Sequence, residues 1–192
     1  HRGRVQILAY AAGEEDFVDA NFNNVYDCGE GWSDLTTAFR DDNENRVFDT
    51  GEFSVPRAPS ASACASAATP SPTGGDGVWG TVDVRMQSTI IFATSGAVIR
   101  GAIAGNALNF TIADGNGNSM PTGSTVEVTG AVGNSSGSWL TCNIQSNSSF
   151  AIANTVAPTI TSSQFLCDSG DILTVKVTSP TGVTTSQGFI VP

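Results

Sequence analysis

Lysine is nearly missing from this 192-residue chain: Lys176 is the only one among eight basic residues, against eighteen carboxylates and a net charge of −10. Phosphate backbones are held by clustered Lys and Arg, so the balance excludes nucleic acid as a partner. Histidine is just as scarce, with His1 alone. A serine or cysteine nucleophile therefore lacks its usual base, and a zinc site lacks imidazole ligands. No Gly-rich phosphate loop follows a strand, and paired carboxylates cluster only where a cation explains them better. These absences point to a protein that is not an enzyme. No run of about 20 apolar residues exists to span a membrane, and no signal-peptide pattern is visible. The chain opens in "HRGRVQILAY", the approach to a strand, as expected of a mature or truncated fragment of something longer.

What is present is Thr, Ser, Gly, Val and Ala. Charged residues make up 14%, against about 25% in an average globular domain. Such compositions belong to all-β, often extracellular proteins, and the length is enough for a real core. The charge is uneven. Residues 1–55 hold twelve of the eighteen carboxylates and four of the eight bases, a balance of −8; the remainder carries −2. The acidic segment calls for a cation.

Composition divides the chain three ways. Residues 1–55 contain one strand, "RVQILAYA", and then an acidic, Asn-rich, Gly-punctuated stretch. Residues 56–77 are Pro-, Ala- and Ser-rich without periodicity, a linker or an irregular meander, with Cys64 to pin it. Residues 78–192 read as strand after strand. Leu108, Phe110 and Ile112 share one face, as do Val126 and Val128; Leu173, Val175 and Val177 point inward while Thr174, Lys176 and Thr178 point outward. Seven to nine short strands, with turns about every ten residues, predict a β-sandwich with one buried face per sheet. Trp79, Trp139 and Phe92 are expected in the core, and Trp32 in the core or against a partner. Asn109, Asn134 and Asn147 head formal glycosylation sequons.

Cys28, Cys64, Cys142 and Cys167 are even in number, widely separated and without a CxxC pair. Two disulfides fit an exported protein better than a zinc site does. Of the three connectivities, Cys142–Cys167 is favoured because both lie in strand-like segments of one domain; elimination then gives Cys28–Cys64.

The acidic segment holds a repeat. "DANFNNVYDCGE" and "DDNENRVFDTGE" begin 22 residues apart and align without a gap. Asp19, Asn21, Asn23, Val25, Asp27 and Glu30 in the first match Asp41, Asn43, Asn45, Val47, Asp49 and Glu52 in the second. These are positions 1, 3, 5, 7, 9 and 12 of the EF-hand calcium loop. Calcium takes about six to eight oxygens at about 2.3–2.6 Å. Positions 1, 3 and 5 supply side-chain oxygens, and position 7 supplies a carbonyl, so an apolar residue serves there. Position 9 often acts through water, and Glu at position 12 reaches across with two oxygens. Position 8 is aromatic in both copies, Tyr26 and Phe48. Two calcium ions are expected, at a dissociation constant of about 10⁻⁴–10⁻³ M if the loops behave as extracellular modules do.

Two departures matter. Position 6, usually Gly, is Asn24 and Arg46, and position 11 is Gly in both copies, Gly29 and Gly51. Gly there opposes the EF-hand's second helix, so the loops are expected without flanking helices beyond a short turn near Ser33–Phe39. Asp16 and Asp34 are candidates for an extra ligand oxygen. Asp114, Asn116 and Asn118 repeat the one-three-five spacing but lack a position-12 acid, and read as a turn. The tandem is similar to the loop-only calcium repeats of secreted bacterial proteins, the dockerin type among them.

"FTIADGNGNSMPTGSTVEVT", Phe110 to Thr129, and the closing "LTVKVTSPTGVTTSQGFIV" resemble bacterial immunoglobulin-like domains of the invasin and intimin type over about 110 residues. The resemblance implies an immunoglobulin-like β-sandwich over 78–192, preceded by the mostly irregular calcium-binding segment. The strand at Arg4–Ala11 then closes a preceding sandwich or pairs within this one. The expected function is a non-catalytic, calcium-stabilised structural or adhesive module of a secreted or surface-exposed bacterial protein, at the cell surface, outside the cell or in the periplasm. Neighbouring immunoglobulin-like domains or a host or cell-surface ligand are its expected partners. The rival is an accessory module of a secreted enzyme that binds carbohydrate or docks to a scaffold.

Overall fold

A computed structural model describes residues 2–133 and 141–192. Among them the chain is all-β: ten strands, no helix, and antiparallel sheets. The strands are β1 (Arg4–Glu14), β2 (Thr81–Ile91), β3 (Ala97–Ala104), β4 (Ala107–Asp114), β5 (Thr125–Ala131), β6 (Asn143–Ile144), β7 (Ser149–Ala151), β8 (Thr159–Leu166), β9 (Ile172–Thr178) and β10 (Thr184–Ile190). Among the described residues no helix is long and apolar enough to cross a membrane. The chain falls into two compact units, one of Val5–Ile90 and one of Ile91–Pro192 together with Arg2–Arg4.

The C-terminal unit has two four-stranded sheets, in the orders β10-β9-β5-β7 and β3-β4-β8-β6. Side chains alternate along a strand, and the alternation here is strict. Leu108, Phe110 and Ile112 of β4, Val126 and Val128 of β5, and Leu173, Val175 and Val177 of β9 are buried in one apolar cluster fed by both sheets. Register aligns the faces: Val126 stands opposite Val177, Val128 opposite Val175, and between them Glu127 opposite Lys176. That outward pair closes a 2.6 Å ion pair, half exposed, and so stabilises little.

Asp114 makes its own turn. Its buried carboxylate accepts the N–H groups of Asn116 (2.9 Å) and Asn118 (2.8 Å) on Oδ1 and of Thr94 (2.9 Å) on Oδ2. The Asp114–Asn118 spacing is thus a side-chain-capped turn. Cys142 and Cys167 are bonded, one register step beyond the Asn143–Leu166 pair of β6 and β8. The bridge therefore pins the register of a two-residue edge strand. Of the strand expected to begin near Gly137, only β6 lies among the described residues. Trp139 and the sequon at Asn134 lie outside them.

The N-terminal unit is built differently. β1 and β2 form a two-stranded sheet of their own. Gln6 lies beside Thr89, and the Glu15 N–H meets the Gly80 carbonyl, so the strands run antiparallel. The strand after Gly77, grouped by composition with the later strands, thus belongs with β1. The segment between the two strands is irregular, and Cys28–Cys64 bridges it. Ser33–Phe39 contains no helical turn. Phe92 is not core but 65% exposed: it follows β2 at the end of a two-stranded ribbon, and a period-2 pattern carries no record of whether a second layer covers the face.

Leu173→Ala is expected to lower the unfolding free energy of the full chain by about 2–5 kcal/mol through loss of buried contacts. Lys176→Ala, one pleat away, should cost less than about 1 kcal/mol. Denaturant titration checks both.

Candidate metal centre

The two loops adopt one structure twice. In the first, the Asp19 carboxylate accepts the N–H of Asn23 (3.1 Å) on Oδ1 and of Asn24 (2.8 Å) on Oδ2. Asn21 Oδ1 accepts Asn23 N–H (3.0 Å), and Asn23 Oδ1 accepts Val25 N–H (2.8 Å). The amides of Asn21 and Asn23 both donate to Asp27 Oδ2, at 2.7 and 2.8 Å. Glu30 folds back across the loop, Oε1 accepting Ala20 N–H (2.8 Å) and Oε2 accepting Asp27 N–H (2.9 Å).

Every one of these bonds recurs 22 residues on. Asp41 accepts from Asn45 and Arg46, Asn43 from Asn45, and Asn45 from Val47; Asn43 and Asn45 donate to Asp49; Glu52 accepts from Asp42 and Asp49. The backbone repeats as well. Positions 4, 6 and 11 take positive φ in both copies: Phe22 and Glu44 (62° and 65°), Asn24 and Arg46 (59° and 66°), Gly29 and Gly51 (100° and 106°). Four non-glycine residues in the left-handed region are costly, and the side-chain bonds to the neighbouring N–H groups hold them there.

The repeat is longer than the motif. Antiparallel bridges Phe17–Trp32 and Phe39–Ser54 close the two loop mouths at the same 22-residue offset. The Val18 and Ser33 N–H groups bond Gly31 and Asp16 carbonyls, as the Arg40 and Val55 N–H groups bond Phe53 and Ala38 carbonyls. Phe17 meets Tyr26 edge-on at 5.8 Å, and Phe39 meets Phe48 edge-on at 5.6 Å. Each loop is therefore flanked by extended chain, with position 8 packed onto the residue that precedes the mouth. Extending the 22-residue alignment outward, where Phe17 falls on Phe39, was the signal that reveals the longer frame. Tyr26 also stacks on Trp79 at 4.8 Å.

The donor set is all oxygen, which suits a hard cation. Loop 1 carries Asp19, Asp27 and Glu30 with no basic residue between positions 1 and 12; loop 2 carries Asp41, Asp42, Glu44, Asp49 and Glu52 against Arg46. Each carboxylate and amide oxygen that accepts one N–H keeps a second lone pair. Asp42 is turned to Arg40 (2.5 Å), which holds its carboxyl below the usual range. Asp34 is held elsewhere, its Oδ2 accepting Gly77 N–H (3.1 Å). Asp16 enters the frame through its backbone carbonyl.

Two buried carboxylates escape sequence reasoning because isolated acids carry no periodic signature. Glu15 accepts the N–H groups of Leu35 (2.7 Å) and Gly80 (3.1 Å), and its carbonyl accepts Trp79 Nε1–H (2.8 Å). Burial pushes its carboxyl up, against those two hydrogen bonds and with the charges of Asp34 and Asp76. Asp76 fixes the 56–77 meander, accepting from Ser60 N–H (2.7 Å), Val78 N–H (3.2 Å) and Arg57 (3.3 Å). Burial raises its carboxyl too, but these donors outweigh it and leave it below its ordinary value.

A second group of metal-ligating residue types, Cys142, Cys167 and Asp171, brings ligand atoms within 4.8 Å of one another. Its sulfurs are bonded to each other and offer no thiolate. Asp171 accepts N–H groups from Gly133 (3.0 Å) and Asp168 (2.9 Å), as a turn-capping carboxylate does.

At Gly29 and Gly51 an added Cβ meets nothing within 4 Å. Gly29→Ala and Gly51→Ala should therefore cost about 1–3 kcal/mol through backbone strain alone, read by denaturant unfolding. For Glu15, a raised folded pKa means that its contribution to stability is fullest below its ordinary value of 4.5 and falls as pH rises through the folded value. The stability of the native chain minus that of Glu15→Gln should decline from pH 4 toward neutrality, by thermal melts across that range.

Comparison with protein-family models, with curated proteins and with solved structures finds no match to this chain.

Proposed function

We propose that the chain is a non-catalytic, calcium-stabilised structural or adhesive module of a secreted or surface-exposed bacterial protein. The observation that carries this reading is the twofold occurrence of one oxygen-lined loop, bond for bond, in the unit poorest in apolar core. Side-chain oxygens of Asp19, Asn21 and Asn23, the Val25 carbonyl, Asp27 and both oxygens of Glu30 would hold one ion. Asp41, Asn43, Asn45, Val47, Asp49 and Glu52 would hold the second. Each ion supplies positive charge where three or more carboxylates converge and ties the two ends of its loop together. Both disulfides suit an oxidising compartment, outside the cell or in the periplasm.

The C-terminal unit supports the same reading as an immunoglobulin-like sandwich. With β3, β4, β5, β8, β9 and β10 taken as strands A, B, C, E, F and G, the neighbours A-B-E and G-F-C follow the order of that fold. Its disulfide departs from the antibody pattern, joining the β6 edge to β8 instead of bridging B to F. In a chain of such modules, calcium would stiffen the segment that precedes the sandwich in sequence, and neighbouring modules or a host or cell-surface ligand would be the partners.

A second reading, an accessory glycan-binding module, draws on a cleft of about 500 Å³ beside loop 2, lined by Gln6, Phe39, Glu44, Arg85 and Gln87 among others. Polar planar side chains around one aromatic ring suit a hydroxyl-rich ligand. Retention on immobilised polysaccharides that fails for Gln87→Ala would favour it.

Calorimetric titration with calcium is expected to give two sites near 10⁻⁴–10⁻³ M, reduced to one by Glu30→Gln and to one by Glu52→Gln. Calcium at about a hundred times the dissociation constant should add about 2.7 kcal/mol per site, seen as a melting temperature that chelator lowers. A melt indifferent to chelator, with no heat of binding, sinks the proposal.

A further inference from the structure

The two loops differ in one covalent respect. Position 10 of loop 1 is Cys28, between Asp27 and Glu30, and it is bonded to Cys64 across 36 residues. Position 10 of loop 2 is Thr50. Loop 2 is instead fastened by hydrogen bonds: Asp41 N–H donates to Gln87 Oε1 (2.9 Å), and Glu44 Oε1 accepts from Gln6 Nε2 (2.7 Å). Among the described residues no hydrogen bond joins residues 19–30 to the rest of the unit. Beyond its mouth, loop 1 is held by the stack of Tyr26 on Trp79 and by the disulfide.

The far end of that bridge is itself anchored. Cys64 sits in the meander that Asp76 fixes through Ser60 and Arg57. The crosslink thus connects the position 9–12 end of loop 1 to the meander that Asp76 holds at Ser60 and Arg57. With like charges facing one another, a metal-free loop tends to open. The bridge restricts how far Asp27 and Glu30 can withdraw, so the cation meets a loop already partly ordered. Loop 2 has no such restraint to lose.

Resting on the calcium reading above, we propose that the Cys28–Cys64 disulfide and the calcium site of loop 1 are thermodynamically linked, each stabilising the other, while loop 2 stands outside the linkage. Linkage is reciprocal: the factor by which the bridge tightens calcium binding is the factor by which calcium resists its reduction. The reductant is a small dithiol. Two electrons and two protons convert the S–S bond to the Cys28 and Cys64 thiols, and the dithiol closes to its cyclic disulfide.

The test uses the full chain and calcium alone. In Glu52→Gln, which leaves loop 1, adding C28S/C64S should weaken calcium binding about tenfold or more. In Glu30→Gln, which leaves loop 2, the same pair should change affinity by less than about twofold. A second measurement needs no variant. Dithiothreitol titration of the native chain, with alkylation and mass spectrometry, should show calcium protecting Cys28–Cys64 by the same factor while Cys142–Cys167 is unmoved. Equal loop-1 affinity with and without the bridge, or no protection by calcium, overturns the linkage and leaves two-site binding intact. Absence of calcium binding to the native chain overturns the underlying reading, and the linkage with it.

Discussion

Carboxylate oxygens accepting backbone N–H groups do in the N-terminal unit what apolar packing does in the C-terminal one. Among the described residues, Ala38, Phe39, Pro70, Val78 and Val82 are the buried apolar side chains of Val5–Ile90. Against that small set stand Glu15, Asp19, Glu30, Asp41, Glu52 and Asp76, each accepting backbone donors that irregular chain would otherwise leave open. Charge-assisted bonds of this kind are strong, and they place non-glycine residues in left-handed conformations that propensity opposes. The consequence is like charge concentrated at short range. A hard cation would relieve it, and the Cys28–Cys64 disulfide would limit how far it can spread.

The two units therefore place different demands on their surroundings. The C-terminal unit carries its own core, from Ile99 to Val191, with register pinned at one edge by Cys142–Cys167. Its stability follows from buried area and depends little on ions. On the proposed reading the N-terminal unit would depend on what is dissolved around it: a divalent cation at the loops and an oxidising environment at Cys28–Cys64. Both conditions hold outside the cytosol, which is where the composition also points. Duplication adds a comparison inside one molecule, since the two loops share every internal bond but are fastened to their unit by different chemistry.

The loops and the strands were legible because both repeat. A twelve-residue ligand spacing occurring twice without a gap says more than either copy, and strict alternation at Leu108–Ile112 and Leu173–Val177 put the right side chains inside. The flanking geometry was half legible: Gly29 and Gly51 argued against a following helix and left room for at most a short helical turn near Ser33–Phe39, where the chain is irregular. Glu15 and Asp76 were invisible because a buried acid is recognised by the donors around it, and those come from residues tens of positions away. Phe92 and β2 misled for a related reason. Apolar alternation shows that one face is favoured for burial but carries no record of whether a second layer exists to cover it.

The central claim is that a cation sits within each ring of oxygens. A crystal structure of the chain grown in excess calcium, with anomalous scattering recorded to identify the metal, tests it most directly. One ion is expected in each loop, ligated by Asp19 to Glu30 and by Asp41 to Glu52. Loops filled only by water, with Glu30 and Glu52 turned to solvent in the presence of ample calcium, would contradict it.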